Sequence, residues 1–315
     1  MTETPITSAT YDRIAAERNG MLNPADFEHH YVQLDGIRMH YAQAGHGPRL
    51  LVLLHGFPEC WWSWRHQLRL FRDDPALAAQ FTIIAPDMRG YNETDRPSWG
   101  YELDVLVRDV VALLRALGHA RAIVAGHDWG GNIAWSLAIA RPDVVERLIA
   151  LNIPHPALFA EAARTNWRQI RRSWYILFFQ LPFLPEAAIR RNDYAFIEQV
   201  LRGTAIDAST FSDQDIAIYK QAIAQPGAAT AALSYYRVLV QQGSRGMFRG
   251  TAMRVSAPTL LIWGEQDTAL GKELTYGTEC FAPDLRIQYI PNCSHWAQQE
   301  RPNEVNAAML EFIKA

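Results

Sequence analysis

The sequence is short of cysteine, of charge imbalance and of long apolar runs, and each shortage excludes something. Cys60, Cys280 and Cys293 are the only cysteines in 315 residues. Three cysteines with no C-x-x-C pair cannot all be bridged, which fits a reducing compartment better than a disulfide framework. Lys plus Arg number 30 against 33 Asp plus Glu, a formal net charge of −3. That balance gives no electrostatic reason to expect nucleic acid or an anionic membrane as partner. No apolar run reaches the ~18 residues of a membrane span, and the opening MTETPITSATYDRIAAERNG has no apolar core of signal-peptide length. A cytoplasmic location is the expectation. No repeat, charge block or Gly/Ser linker stands out, and 19 Gly with 17 Pro is average usage, so collagen-like and low-complexity readings fall away. Neither metal-ligand spacing nor a phosphate-binding glycine loop is found, so no metal and no cofactor is expected.

What is present is a globular chain, 49% hydrophobic and 20% charged, able to bury a large core. YVQLDGIRMHYAQAG holds two extended runs hinged at Asp35-Gly36, a dipeptide suited to a hairpin turn. RLLVLLHG then starts a series of short continuous apolar runs: FTIIAP (81–86), AIVAG (122–126), RLIALNIP (147–154), TLLIWG (259–264) and RIQYIP (286–291). Such runs suit strands buried on both faces. Between them lie helix-like stretches, notably 101–118 with its closing glycine. Strands alternating with helices predict an α/β fold with a mainly parallel sheet covered on both faces. The alternation breaks over about 156–250, which is rich in helix formers and aromatics. This stretch is expected to be a helical cap inserted between two strands, over a core formed by 1–155 and 251–315. Such a lid would sit where open α/β sheets bind ligands.

The chemistry concentrates in AIVAGHDWGGNIAW (122–135), a buried strand running through Gly126-His127-Asp128-Trp129-Gly130 into a helix. This is the nucleophile-elbow pattern G-x-S-x-G with aspartate in the serine position. Small residues at 126 and 130 let the backbone pass through a sharp strand-to-helix turn. The plain alternative is that Asp128 caps the helix. Two later residues weigh against it: Asp267 in TLLIWGEQD and His295 in CSHW each follow an apolar run. Nucleophile, acid, histidine is the chain order of α/β-hydrolases. His29, His30, His46, His66 and His119 lack such a setting and are read as surface residues. His55-Gly56-Phe57-Pro58 also leaves a buried strand; in hydrolase geometry the backbone N–H groups of Phe57 and Trp129 would form an oxyanion hole.

With these motifs in hand, the chain resembles the epoxide hydrolase and dehalogenase branch of the α/β-hydrolases, over nearly its whole length after about residue 25. The motifs are H-G-F-P (55–58), D-M-R-G-Y (87–91), G-H-D-W-G-G (126–131), L-N-I-P-H-P (151–156), W-G-E-Q-D (263–267) and S-H-W (294–296). Asn92 departs from the usual glycine, with a small loop effect expected. An aspartate nucleophile attacking an sp³ carbon makes an ester of the enzyme itself, which a water activated by His295 would hydrolyse while Asp267 orients the imidazole. The substrate then needs an electrophilic carbon bearing an oxirane oxygen or a halide.

An oxirane oxygen needs proton donors on departure. Soluble epoxide hydrolases carry two lid tyrosines, and Tyr175, four residues before the phenylalanine of Phe179-Gln180-Leu181-Pro182, and Tyr236, before Arg237, match them. Packing in an aromatic lid core would explain one such tyrosine better than both. Haloalkane dehalogenases resemble the chain at Trp129 but often have an asparagine where Phe57 stands. Fluoroacetate dehalogenases have an arginine in place of Trp129. Dehalogenation is therefore the second reading, and a binding module without turnover the third, since binding alone needs no nucleophile and base. Candidate substrate contacts are His55, Phe57, Trp129, Phe179 and Trp296. The expected partners are a small apolar epoxide and water, with a homodimer left open.

Overall fold

The computed structural model describes residues 22–242 and 253–315. The N-terminal segment read above and the expected cap-to-core boundary at 250/251 lie outside the described residues. Eight strands form one sheet: β1 (Glu28–Leu34), β2 (Ile37–Ala44), β3 (Arg49–Leu54), β4 (Phe81–Pro86), β5 (Ala122–His127), β6 (Val145–Leu151), β7 (Thr259–Gly264) and β8 (Leu285–Ile290). Their spatial order is β1-β2-β4-β3-β5-β6-β7-β8. β1 and β2 form the antiparallel hairpin, turned at Gly36 with φ 85°, and β2 lies antiparallel to β4. Every other pairing is parallel. The sequence pattern follows from this placement. β5 and β7 are buried at every residue, as interior parallel strands must be, whereas edge strand β8 alternates half-buried and exposed positions up to the buried Ile290.

Helices Leu103–Ala116 and Trp129–Ala140 flank β5 in sequence, and between β6 and β7 the described chain is helical from Pro156 to Gln242. No helix among the described residues is long and apolar enough to cross a membrane. β6 ends at Leu151, three residues before the apolar run does, because Asn152 adopts φ 46° and turns the chain out of the sheet. His66 corrects the surface reading: it is half-buried on helix Arg65–Asp73, and burial together with Arg65 and Arg69 holds its pKa well below the ordinary imidazole range. His29 is exposed, yet its Nδ1 lies 2.9 Å from Nε2 of the buried His40.

The chain leaves β3 toward β4 on one side and returns to β5 on the other, so the strand order reverses between β3 and β5. A crevice opens at the carboxyl ends of strands at such a switch point. Here those ends lead into Gly56-Phe57 and into Asp128. The elbow after β5 closes tightly. A Cβ on Gly126 would stand 2.3 Å from the Gly130 carbonyl oxygen, and one on Gly130 would stand 2.2 Å from that of Leu54. Both contacts are with backbone, which cannot rotate away. Gly126→Ala is therefore expected to lower stability by about 1–3 kcal/mol, the usual effect of overpacking. Urea titration should show an earlier midpoint with an unchanged slope.

Candidate active site

Asp128 stands between β5 and helix Trp129–Ala140 with φ 50° and ψ −119°, a backbone state of order 1–3 kcal/mol above ordinary ones for a non-glycine residue. Its side chain does not cap the helix, so the capping alternative fails. Instead, Oδ1 accepts the Phe57 N–H at 2.9 Å, and Oδ2 lies 3.5 Å from Nε2 of His295. Gly56 permits this approach, since a Cβ there would sit 2.5 Å from the Asp128 Cβ. Phe57 precedes Pro58 through a cis peptide bond. The N–H of Trp129 opens the helix and has no partner within it.

His295 connects two carboxylates. Its Nδ1 lies 2.7 Å from Oδ2 of Asp267, whose side chain is fully buried in the turn after β7. Asp267 is held from several directions: Oδ1 accepts the N–H groups of Ala269 (2.8 Å) and Leu270 (2.9 Å), and Oδ2 also accepts from Asn152 Nδ2 at 2.8 Å. Burial works against a charged imidazole at 295, but Asp267 and Asp128 outweigh it and hold its pKa well above the usual range. Burial likewise opposes the Asp128 carboxylate. His295 overrides it, so that pKa is lowered. His295 thus joins Asp128 and Asp267 in one buried chain of side chains.

Three supporting residues were not singled out from sequence. Asn152 donates to Asp267 and to the Ser294 carbonyl (3.2 Å), and its Oδ1 accepts from the Gly264 N–H (3.3 Å). It thus clamps the ends of β6 and β7 to the histidine loop. Behind Asp128, Glu59 Oε2 accepts the Gly56 N–H at 2.9 Å and meets His127 Nδ1 at 2.8 Å, while Nε2 of His127 donates to the His295 carbonyl at 2.7 Å. This buried pair ties the Phe57 loop and the His295 loop to the end of β5. All three lie in or beside quoted motifs, which was the available signal.

The cavity above Asp128 has a volume of about 380 Å³ and is walled mainly by apolar side chains, including Leu103, Ile153, Phe159 and Leu239. Asp128, Trp129, Asn132, Tyr175 and Tyr236 supply most of its polar groups. Tyr175 and Tyr236 approach edge to face at 5.9 Å, and Tyr236 packs similarly on Trp129 at 5.2 Å. Burial raises the pKa of both phenols and the Asp128 charge raises them further, so both hydroxyls keep their protons at neutral pH. Phe57 and Phe179 do not line the cavity; their rings brace Tyr236 from behind at 5.4 and 5.0 Å. His55 and Trp296 correct the expected contact set. His55 is fully buried, with Nδ1 against the Gly56 carbonyl and Nε2 accepting the Met88 N–H. Trp296 packs edge-on to His295 at 5.0 Å and donates its indole N–H to Thr204. Both belong to the scaffold.

Sheet order, elbow and triad geometry together define a hydrolase of the α/β class, and comparison with known proteins agrees. A family model described as the alpha/beta hydrolase fold matches residues 49–302. The AB hydrolase superfamily protein YfhM of Bacillus subtilis is 40% identical, across 90% of this chain and 97% of that protein. Epoxide hydrolase 4 of Homo sapiens is 35% identical across 93% of this chain and 80% of its own length. A crystal structure of Bacillus megaterium epoxide hydrolase in complex with an inhibitor superposes with a TM-score of 0.79 at 31% identity, covering 91% of this chain and 100% of that one. A mutant of an epoxide hydrolase from that species, with the same TM-score, identity and coverage, was solved with its naphthyloxy-propanediol product. The chain belongs to the α/β-hydrolase family, within its epoxide hydrolase branch.

Asn152→Ala removes a donor from Asp267 and an acceptor from the Gly264 N–H. Leaving these buried groups short of a partner is expected to cost about 1–3 kcal/mol of stability. The freed Asp267 should also slow the step that uses His295. Denaturant titration and single-turnover kinetics on the same variant check both effects.

Proposed function

We propose that the chain is an epoxide hydrolase that adds water to the oxirane of a small apolar epoxide, giving a vicinal diol through an ester on Asp128. In this reading 156–250 is the cap and 1–155 with 251–315 the hydrolase core. The observation that carries it is one cavity walled by an elbow carboxylate and two protonated phenols, Tyr175 and Tyr236. A leaving alkoxide needs such donors; a leaving halide does not. Family membership and the diol product of the Bacillus megaterium mutant support the same chemistry. Cytoplasmic operation fits the three free thiols.

The two oxygens of Asp128 divide the work. Oδ1 already accepts the Phe57 N–H, which leaves Oδ2 to attack the oxirane carbon. As the C–O bond breaks, Tyr175 and Tyr236 donate to the departing oxygen, which takes a proton and becomes the first hydroxyl. Alkylation removes the negative charge of Asp128, one of the two charges that hold His295 protonated. The imidazole pKa falls, and the proton it gives up restores the phenol that protonated the departing oxygen. Neutral His295 can then take a proton from water. That water attacks Cγ of the ester, and the charge developing on Oδ1 is held by the N–H groups of Phe57 and Trp129. Collapse passes the remaining proton of the added water to the leaving oxygen and releases the diol. The carboxylate is regenerated with one oxygen from water, and His295 is left protonated. Asp267 keeps the imidazole oriented and stabilises its cation. Neither step calls for a cofactor.

In heavy-oxygen water, a single turnover should put label into Asp128 and none into that first diol; label only in the diol overturns the ester route. His295→Gln should still alkylate and then accumulate the ester, visible as a substrate-sized mass increase on the intact protein. In the wild type, acid should have a similar effect. The Asp128 pKa is lowered, so alkylation persists into acid. The base is lost to protonation, so ester hydrolysis should fall about tenfold per pH unit below the reduced pKa that His295 has in the ester. Rapid-quench mass spectrometry across pH reads both.

Tyr175→Phe and Tyr236→Phe singly should reduce alkylation only in part, whereas the double variant should lose about 10²–10⁴ in rate. A matched bromoalkane serves as control, because its leaving group needs no proton. An unimpaired double variant on the epoxide, or wild-type turnover of the bromoalkane alone, would reject the assignment in favour of dehalogenation.

A further inference from the structure

We propose that the mouth of the cavity is a docking face for an anionic lipid surface, so that the chain binds peripherally to a bilayer with its pocket opening toward the lipid. The rim itself is apolar: Ala163, Ile170, Leu177 and Val240 line the cavity and are exposed at the same time. Around it stand large apolar side chains turned to solvent, with Trp167 73%, Trp174 64% and Leu177 68% exposed. Further along the chain Phe183 is 83% exposed. Trp167 with Ile170, and Trp174 with Leu177, are three apart on the short helices Trp167–Arg172 and Trp174–Phe178, so each pair shares a face. Gln169, on the opposite side of the first helix, is buried and bonded to Ser173 and the Ala269 carbonyl. Scattered exposed hydrophobics need no explanation, but a cluster at a cavity mouth does.

The charges identify the partner. Residues 161–177 hold four arginines and a single glutamate within a chain whose total is −3. Arg172 faces Glu273 at 3.8 Å. Arg164, Arg168 and Arg171 are exposed and have no ion-pair partner among the described residues. The near-neutral total therefore averages over a local cationic and aromatic surface. Tryptophan and leucine interleaved with arginine suit the headgroup boundary, where the rings and stems bury and the guanidinium groups meet anionic lipid. A second copy of the chain fits less well, since a two-fold contact would bring the same unpaired arginines together. Where substrate entry is concerned, the inference rests on the proposed function: a lipophilic epoxide dissolved in the bilayer would enter the cavity without crossing water.

The test is co-sedimentation of the full chain with vesicles of phosphatidylcholine alone or mixed with phosphatidylserine. Binding is expected to the mixed vesicles, to weaken with salt, and to fall on the order of tenfold in Arg168→Glu/Arg171→Glu. Trp167→Ser/Trp174→Ser should lose binding to the same vesicles. Both variants should hydrolyse a water-soluble epoxide at the wild-type rate without vesicles, which separates failure of the docking face from failure of the fold or of the enzymatic reading. No binding to either vesicle overturns the proposal, as does binding that the tryptophan variant leaves untouched. A concentration-dependent dimer broken by the tryptophan substitutions, seen by sedimentation without lipid, would assign the face to a second copy and overturn it equally.

Discussion

A carboxylate held in a strained backbone at the end of a fully buried strand is the constraint on which the rest depends. Asp128 occupies φ 50° because β5 must turn into a helix with almost no space at the corner. The tightness comes from backbone meeting backbone across Gly126, Gly130 and the end of β3. That packing directs the side chain away from the helix N-terminus, where an aspartate would ordinarily be spent on capping, and toward the Phe57 N–H and His295. A preorganised donor costs no reorganisation when charge develops on the oxygen it already holds.

The buried charges form one coupled system. Two carboxylates and one imidazole out of water would be costly if any member stood alone. Asp267 is held by two backbone N–H groups, Asn152 and His295, so its place in the chain does not depend on Asp128. In the proposed mechanism Asp128 is the member whose charge alkylation removes, which would give the imidazole two settings without any movement of the chain. The Glu59–His127 pair behind them carries the mechanical load, joining the loops after β3, β5 and β8.

The inserted helices serve two environments. Inward, Tyr175 and Tyr236 meet Phe57, Phe179 and Trp129 in edge-to-face contacts that hold both rings in the wall of the cavity that Asp128 also lines. Outward, the same segment shows tryptophan, leucine and arginine to solvent. An aromatic stretch of sequence looks uniform across both roles; burial divides it.

By itself the sequence determined the strands, because parallel strands buried on both faces must be written as unbroken apolar runs, and it set the order in which Asp128, Asp267 and His295 follow those runs. It also carried the tight elbow in its glycines. Only the tertiary structure decided that Asp128 is not a cap, since that depends on backbone angles at one residue. It likewise decided that His55 and Trp296 turn into the scaffold, although they stand in the same motifs as Phe57 and His295. Asn152 and Glu59 were hidden for a related reason. Asn152 reaches Asp267 across 115 residues and Glu59 reaches Gln299 across 240, and a buried polar group acquires its partner only when the sheet brings such distant loops together.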